Sequence, residues 1–254
     1  MGPKVNGFVA AALLAAVGGV AVTASVPVGA ATGSRALQTT RLSSGRFATT
    51  PDTFSLGGNA GYLGNTSTSA KVKLKVTVPV LDCSASPPAP LFVQVFLNGT
   101  LKGGAFSASG MYIGASCTGT TLTYTAQLVG DDVNGATVSV SPGDVLSFDG
   151  TAKAHSESYT LTDVNTAQSV TGTGAGLTPQ NLQLTVQGGF SGNTVFPPFT
   201  SPIKYSAIKV NGAVFSTLNP GGSEEVDSSN KLEIKTSALS AAGDSFTLKY
   251  VSNT

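Results

Sequence analysis

Tryptophan is absent from this chain of 254 residues, histidine occurs once, cysteine and methionine twice each, and only 11% of the residues are charged. Each scarcity excludes something. One histidine, His155, cannot build a multi-histidine zinc site, and two cysteines cannot build a cysteine-rich one. No G-x-S-x-G singles out a serine nucleophile, and no phosphate loop or dinucleotide fingerprint occurs. The expectation is therefore of neither cofactor nor metal. His155 lies in the polar stretch Lys153 to Ser158 between two strand-like runs, the place of an exposed loop residue. Low charge also argues against helices rich in Glu, Lys and Leu, as do the 31 glycines and the abundance of Ser, Thr, Ala and Val. No stretch beyond about ten residues combines helical period with caps, and no fixed repeat suggests a propeller.

The N-terminus accounts for part of the apolar content. Lys4 precedes an apolar run from Phe8 to Val22, and Val28-Gly29-Ala30 supplies small residues for cleavage. Residues 1–30 read as a secretory signal peptide. Gly18, Gly19, Ser25 and Pro27 interrupt a run already short for a membrane anchor. Residues 31–50 lack periodicity and read as a flexible leader or prosegment, leaving 51–254 as one domain of a secreted, extracellular protein. Export places Cys83 and Cys117 in an oxidising compartment, where a disulfide is expected. Its loop is worth roughly 4 kcal/mol in the chain-entropy model. Beyond Phe47 ten lysines face thirteen acids, a net of −3 that resembles no basic nucleic-acid surface.

Strand patterns fill the remainder. Val138 and Val140 alternate with serines, Pro142-Gly143-Asp144 makes a turn, and Val145 to Asp149 alternates again, which reads as strand, tight turn, strand. Tyr159 to Asp163 and Ser169 to Thr173 form a second pair, and Leu182 to Gln187 a further strand. Lys71 to Val78 sets Val72, Leu74, Val76 and Val78 on one face and three lysines with Thr77 on the other. Leu91 to Leu97 is followed by Asn98-Gly99, a hairpin signal. Thr121 to Val129 alternates, with Leu122, Tyr124, Ala126 and Leu128 opposite Thr123, Thr125, Gln127 and Val129. Asn211-Gly212 separates Lys204 to Val210 from Ala213 to Leu218, and Lys231 to Lys235 and Ser245 to Val251 close the set. Roughly a dozen strands without a composition break argue for an all-β, two-sheet antiparallel sandwich.

Two acidic clusters and two Asn sequons have plainer readings. Asp131-Asp132-Val133-Asn134-Gly135 lacks EF-hand spacing and reads as an Asx-rich turn. Glu224, Glu225 and Asp227 read as a solvated loop. Asn65-Thr-Ser67 and Asn98-Gly-Thr100 fit the glycosylation sequon.

In order along the chain, several short motifs resemble the G1 glutamic peptidases, or eqolisins, and in particular a secreted actinobacterial-type branch. Ala60-Gly61-Tyr62 resembles an opening Trp-Ala-Gly-Tyr, with Asn59 in place of Trp. Val76-Thr-Val-Pro79 with Cys83, Cys117-Thr-Gly119 with Tyr124-Thr-Ala126, Pro142-Gly-Asp144, Leu161-Thr-Asp163, and Ala238-Leu239 with Ser245-Phe246-Thr247 follow in family order. The resemblance implies a concanavalin A-like jelly roll whose groove carries a catalytic Gln and Glu. The family's Gln-x-Gly falls on Ala108-Ser109-Gly110, and its Ala-Glu-Trp-Ile-Val-Glu on Leu182 to Gln187. Ala108 then stands for the Gln, and Gln183 for the Glu. The Glu after the family's Tyr-x-Ala-Trp falls on Val129.

An amide cannot take a proton from water as a carboxylate does, so no catalytic residue is assigned. Ala108, Gln127, Val129, Gln183, Thr185 and Gln187 are the candidate groove positions. The expectation is a secreted non-catalytic sandwich, monomeric, taking an unknown peptide, glycan or cell-surface ligand, with no nucleic acid as partner and no membrane insertion once the signal is removed. Two alternatives stay open, an acid-acting endopeptidase and a lectin-like carbohydrate-binding module.

Overall fold

Alternation of apolar and polar residues at period two sends every second side chain to the same side of a strand. In β3 of the computed structural model this gives a strict exposed-buried rhythm, with Ala70, Val72, Leu74 and Val76 inside and Ser69, Lys71, Lys73 and Lys75 outside. The structure describes residues 53–55, 59–84, 90–130, 133, 135–188, 196–227 and 231–251. They fall in one unit of chain, residues 42–254. The expected signal peptide and leader, and most of the Asx-rich turn at 131–135, lie outside the described residues.

The strands are β1 (Thr53–Ser55), β2 (Asn59–Asn65), β3 (Ser69–Thr77), β4 (Leu91–Thr100), β5 (Phe106–Thr118), β6 (Thr121–Val129), β7 (Thr137–Val138) and β8 (Val145–Lys153). They continue with β9 (Ser156–Asp163), β10 (Ser169–Gly174), β11 (Thr178–Gly188), β12 (Ile203–Val210), β13 (Ala213–Val214), β14 (Gly221–Val226), β15 (Leu232–Thr236) and β16 (Phe246–Tyr250). Hydrogen bonding runs without a break in the order β10-β9-β8-β3-β12-β16-β15-β14-β2-β11-β4-β5-β6-β7. Apart from the parallel β1–β14 pair, neighbours are antiparallel. The ribbon folds back on itself into a two-layer sandwich. The first layer runs from β10 to β16, the second from β2 to β7, and β15 and β14 form the seam.

Side chains crossing the interior hold the layers together. Tyr62 on β2 meets the Phe246 ring on β16 edge-on at 4.8 Å, and Phe246 stacks on Tyr205 at 4.8 Å. The core draws Val93, Val95, Met111, Ile113, Leu182, Leu184 and Val186 from one layer and Val72, Leu74, Phe148, Leu161 and Ile208 from the other. Each such buried side chain contributes roughly 1.5–3 kcal/mol. The Cys83–Cys117 disulfide forms, tying the chain leaving β3 to the end of β5. Tyr124 supports the same crossing, donating its hydroxyl to Pro79 O at 2.8 Å and accepting from Leu81 N–H.

Four local expectations are corrected. Asn98 and Gly99 lie inside β4, paired with Ala108 and Ser107 on β5 and with Asn181 and Pro179 on β11. The turn comes later, where Leu101 N–H donates to Ala105 O across Gly103 and Gly104, both at positive φ. Thr178 O packs so close to Gly99 that any Cβ would strike it, which explains a glycine there without a turn. The Pro142-Gly143 turn exists, with Gly143 at φ 84°, but its flanks do not form a hairpin. β7 pairs with β6 in the second layer and β8 with β3 and β9 in the first, so the segment arches between layers.

Only β13 continues past Asn211-Gly212, whose φ values of 52° and 84° do make the expected hairpin turn. Phe215 to Leu218 instead winds into a short 3-10 turn. It buries Phe215 completely against the Tyr62 ring, a core plug that an extended strand would leave outside. Lastly, Glu224 and Glu225 belong to β14 and not to a solvated loop. Glu225 is fully buried, and its Oε2 accepts Asn59 N–H at 3.2 Å.

Candidate functional site

The outer face of the second layer is built by elimination. With Leu91, Val93, Val95 and Leu97 of β4 in the core, Phe92, Gln94, Phe96 and Asn98 must point the other way. On β11 the same logic turns Asn181, Gln183, Thr185 and Gln187 outward, on β5 Ala108, Gly110, Tyr112 and Gly114, and on β6 Thr125, Gln127 and Val129.

Strand register then sets these residues in cross-strand rows. One row reads Leu63, Gln183, Phe96, Gly110, Val129, and the next Gly61, Thr185, Gln94, Tyr112, Gln127. Flanking them are Asn65, Asn181, Asn98, Ala108 on one side and Asn59, Gln187, Phe92, Gly114, Thr125 on the other. All six positions expected from the sequence lie on this face, within these four rows. Ala108 and Gln183 sit in adjacent rows with β4 between them.

Asn98 occupies that interval. Its Nδ2 donates to Asn181 Oδ1 at 2.8 Å and to Gln183 Oε1 at 3.0 Å. Gln183 Nε2 donates onward to Gln94 Oε1 at 3.0 Å and to Thr185 Oγ1 at 2.9 Å. The Thr185 hydroxyl also donates to Gln94 Oε1, and Gln94 Nε2 reaches Gln187 Oε1 at 2.7 Å. Six neutral side chains thus form one continuous hydrogen-bonded ladder across β4 and β11. Beside it, the Tyr112 hydroxyl donates to Gln127 Oε1 at 2.7 Å, and Gln127 Nε2 to Gly135 O. Burial pushes the Tyr112 hydroxyl above its ordinary pKa, so it remains a donor.

The ladder is anchored from below. Inside the core, the Tyr205 hydroxyl is shared between Gln94 O at 3.0 Å and Thr185 O at 2.8 Å. Full burial drives its pKa well up and keeps the donor in place. Gly61 and Gly110, at φ 137° and 149°, carry no side chain because Leu184 O and Val95 O lie where a Cβ would go. Around these bare spots rise the Phe92, Phe96 and Tyr112 rings, with Phe92 and Tyr112 in edge contact at 5.9 Å. Phe106 is 65% exposed and Leu63 39%, both on this same face.

Its chemistry follows from its composition. None of β2, β4, β5, β6 or β11 contains an Asp, Glu, His, Lys or Arg. Among the described residues, these strands offer the face amide donors and acceptors, hydroxyls and rings. A serine does meet a carboxylate elsewhere, where Ser109 Oγ donates to Glu157 Oε2 at 2.7 Å beside Tyr159. That cluster spans the interior between β5 and β9, with Ser109 and Tyr159 fully buried, so no substrate reaches it. Burial and the neighbouring Glu157 raise the Tyr159 pKa far above its ordinary value. Among the described residues no three His, Cys, Asp or Glu side chains gather as a metal site would need. His155 lies exposed in the β8–β9 turn at φ 68°.

Sequence reasoning missed Gln94, Asn98, Asn181 and Tyr112. The signal was present in the alternation of Leu91 to Leu97, whose polar phase contains Gln94. Asn98 was hidden by its turn-like Asn-Gly dipeptide.

No family model and no curated protein matches the sequence. Solved structures do match the fold. Scytalido-glutamic peptidase with a peptide-based transition state analog superposes with a TM-score of 0.56 at 18% identity, covering 76% of this chain and 98% of that one. SCP-B, described as a member of the eqolisin family in complex with the tripeptide Ala-Ile-His, superposes at 0.55 and 17% identity with the same coverage. Identity this low speaks of architecture, and by architecture the chain is built on the β-sandwich of the glutamic peptidases.

Proposed function

We propose that this chain is a secreted, non-catalytic protein of the glutamic-peptidase fold that holds an extended, uncharged peptide segment against the outer face of its second layer. The observation that carries the reading is the amide ladder. Where the family resemblance calls for a carboxylate, Gln183 spends both amide hydrogens and its carbonyl on neighbouring side chains. A general base needs a lone pair of carboxylate basicity, which an amide lacks.

The same groups suit binding. Amide side chains present donors and acceptors to a peptide backbone, and the exposed Leu63 and Phe106 with the half-buried Phe96 offer apolar contact for its side chains. A charged ligand would find no counter-charge on these five strands. Two proteins of the same fold were solved with peptide-like ligands, which favours a peptide over a glycan. The Cys83–Cys117 disulfide and the apolar N-terminal run support export.

Purified protein is expected to cleave no denatured protein substrate between about pH 2 and pH 7. A panel of neutral peptides tested by calorimetry is expected to yield binders that Phe96→Ala or Gln183→Ala weakens at least tenfold. Acid-optimal cleavage that disappears when one of the chain's own carboxylates is removed would overturn the reading in favour of a peptidase.

A further inference from the structure

The outer face of the first layer carries the opposite chemistry. Lys71, Lys73 and Lys75 on β3, Lys204 and Lys209 on β12 and Lys249 on β16 all point outward and are exposed. Across β3, β8, β12 and β16 the acid on this face is Asp149, which pairs with Lys73 at 2.6 Å. The concentration is not a reflection of overall charge, since the chain beyond Phe47 is net negative.

Two features mark this face as more than a solvated surface. Lys209 lies directly opposite Lys73 in the β12–β3 register, and Lys235 directly opposite Lys249 in the β15–β16 register. Like charges in directly opposed positions destabilise a sheet unless something neutralises them. In addition, Lys71, Lys73 and Lys209 converge with Gly212 on a concavity of about 200 Å³. Gly212 sits in the β12–β13 hairpin turn, and no atom of the protein lies near where its Cβ would be, so the concavity opens to solvent.

We propose that this face binds a linear acidic polysaccharide, its anionic groups held by the lysine rows and one of them seated between Lys71, Lys73 and Lys209. Strand geometry sets the lysines of β3 about 7 Å apart and those of neighbouring strands about 5 Å apart. Between them stand Ser147, Thr151, Ser206 and Thr247, hydroxyls suited to hydroxyls on a sugar ring. The chemistry distinguishes this ligand from a nucleic acid. β3, β8, β12 and β16 put neither an arginine fork for phosphate nor an aromatic ring for base stacking on this face. The disulfide fits an oxidising compartment outside the cytosol, away from the bulk of cellular nucleic acid.

The test uses the full exported chain and immobilised heparin and polygalacturonate as sulfated and carboxylated probes. Neutral dextran, duplex DNA and polyphosphate serve as comparators. Binding to at least one acidic glycan is expected, weakening about tenfold or more between roughly 50 and 200 mM salt, with none to dextran. K71Q/K73Q/K209Q is expected to lose at least tenfold in affinity, and K102Q/K231Q, altered away from the face, to bind as the native protein does. K204Q/K249Q changes the same face at other strands and is expected to weaken binding too, so a folding failure in the triple variant leaves the proposal decidable. Absence of glycan binding at 50 mM salt, equal loss in K102Q/K231Q, or DNA or polyphosphate binding as tight as the glycan would each overturn it.

Discussion

The two layers of this sandwich share a core and differ in almost everything outside it. Five strands of the second layer contain no ionisable Asp, Glu, His, Lys or Arg, and their outer face is knitted by amides. The first layer turns rows of lysine to solvent. Acids collect at the seam, where Glu224, Glu225 and Glu233 lie on β14 and β15. The nearly neutral total charge is therefore a sum over segregated regions, a neutral amide face, a lysine face and an acidic seam.

Cutting the tie between the layers should have the largest effect. Cys83 lies on the chain leaving the first layer and Cys117 at the end of β5 in the second, 34 residues apart in sequence. The C83A/C117A variant is expected to lose about 4 kcal/mol, the loop entropy returned to the unfolded chain. Denaturant midpoints with and without reductant measure it, and a native protein indifferent to reductant would contradict it.

Placing a charge in the neutral layer comes next. In Gln183→Glu one carboxylate oxygen keeps the Asn98 donor, but the other faces Gln94 Oε1 and Thr185 Oγ1, which both received hydrogens from the native amide. Turning the Gln94 amide to suit would break its bond to Gln187. A loss of about 1–3 kcal/mol at pH 7 follows. The new carboxyl's folded pKa is raised, so the penalty is complete above that raised value and fades as pH falls through it to the ordinary Glu value of the unfolded chain. Stability of the variant and native protein measured from pH 3 to pH 7 should converge at the acid end.

These layers were legible in the sequence to different degrees, and the reason is physical. Period two alone fixed the faces of β3, β6 and β11, because each has one face in the core and a one-residue slip would bury its polar set. The Asn211-Gly212 turn was legible because both residues adopt the positive φ that dipeptide favours. Asn98-Gly99 carries the same signal, yet β11 packs against Gly99 and the amide ladder captures Asn98, so tertiary contact overrides turn chemistry. The candidate site was legible one strand at a time. Its unity was not, since the ladder depends on β4 lying beside β11, strands some ninety residues apart in sequence. The lysine face was equally dispersed, with only the β3 row visible as a pattern.

The acids of the seam make stability depend on pH. Glu233 is 5% exposed, and its Oε1 accepts Phe196 N–H at 2.9 Å. Desolvation raises its pKa above the ordinary 4.5, the Phe196 hydrogen bond opposing and Asp227 adding to the rise. An acid with a raised folded pKa costs stability as pH climbs from its unfolded value through its folded one, because the unfolded chain releases the proton first. Glu233→Gln keeps an acceptor for Phe196 N–H and removes that cost. The variant should melt above the native protein at pH 7, with the gap closing by about pH 4, and a gap independent of pH would assign the effect elsewhere.

The smallest expected effect lies in the lysine layer and separates its two kinds of neighbour. Lys73 has Lys209 opposite it on one side and Asp149 bonded to it on the other. Lys209→Gln relieves the repulsion and leaves the ion pair intact, so it should stabilise the protein by roughly half a kcal/mol at low salt. Lys73→Gln relieves the same repulsion but breaks the pair with Asp149, itself worth about as much for an exposed couple, so its net effect should be close to zero. Screening shrinks both contributions, and at about 1 M salt, where the Debye length is near 3 Å, the two variants and the native protein should melt together. Melting temperatures of the three proteins across a salt series decide it. A Lys209→Gln variant less stable than native at low salt would mean that Lys209 is held by attraction, and that the lysine rows are already balanced within the fold.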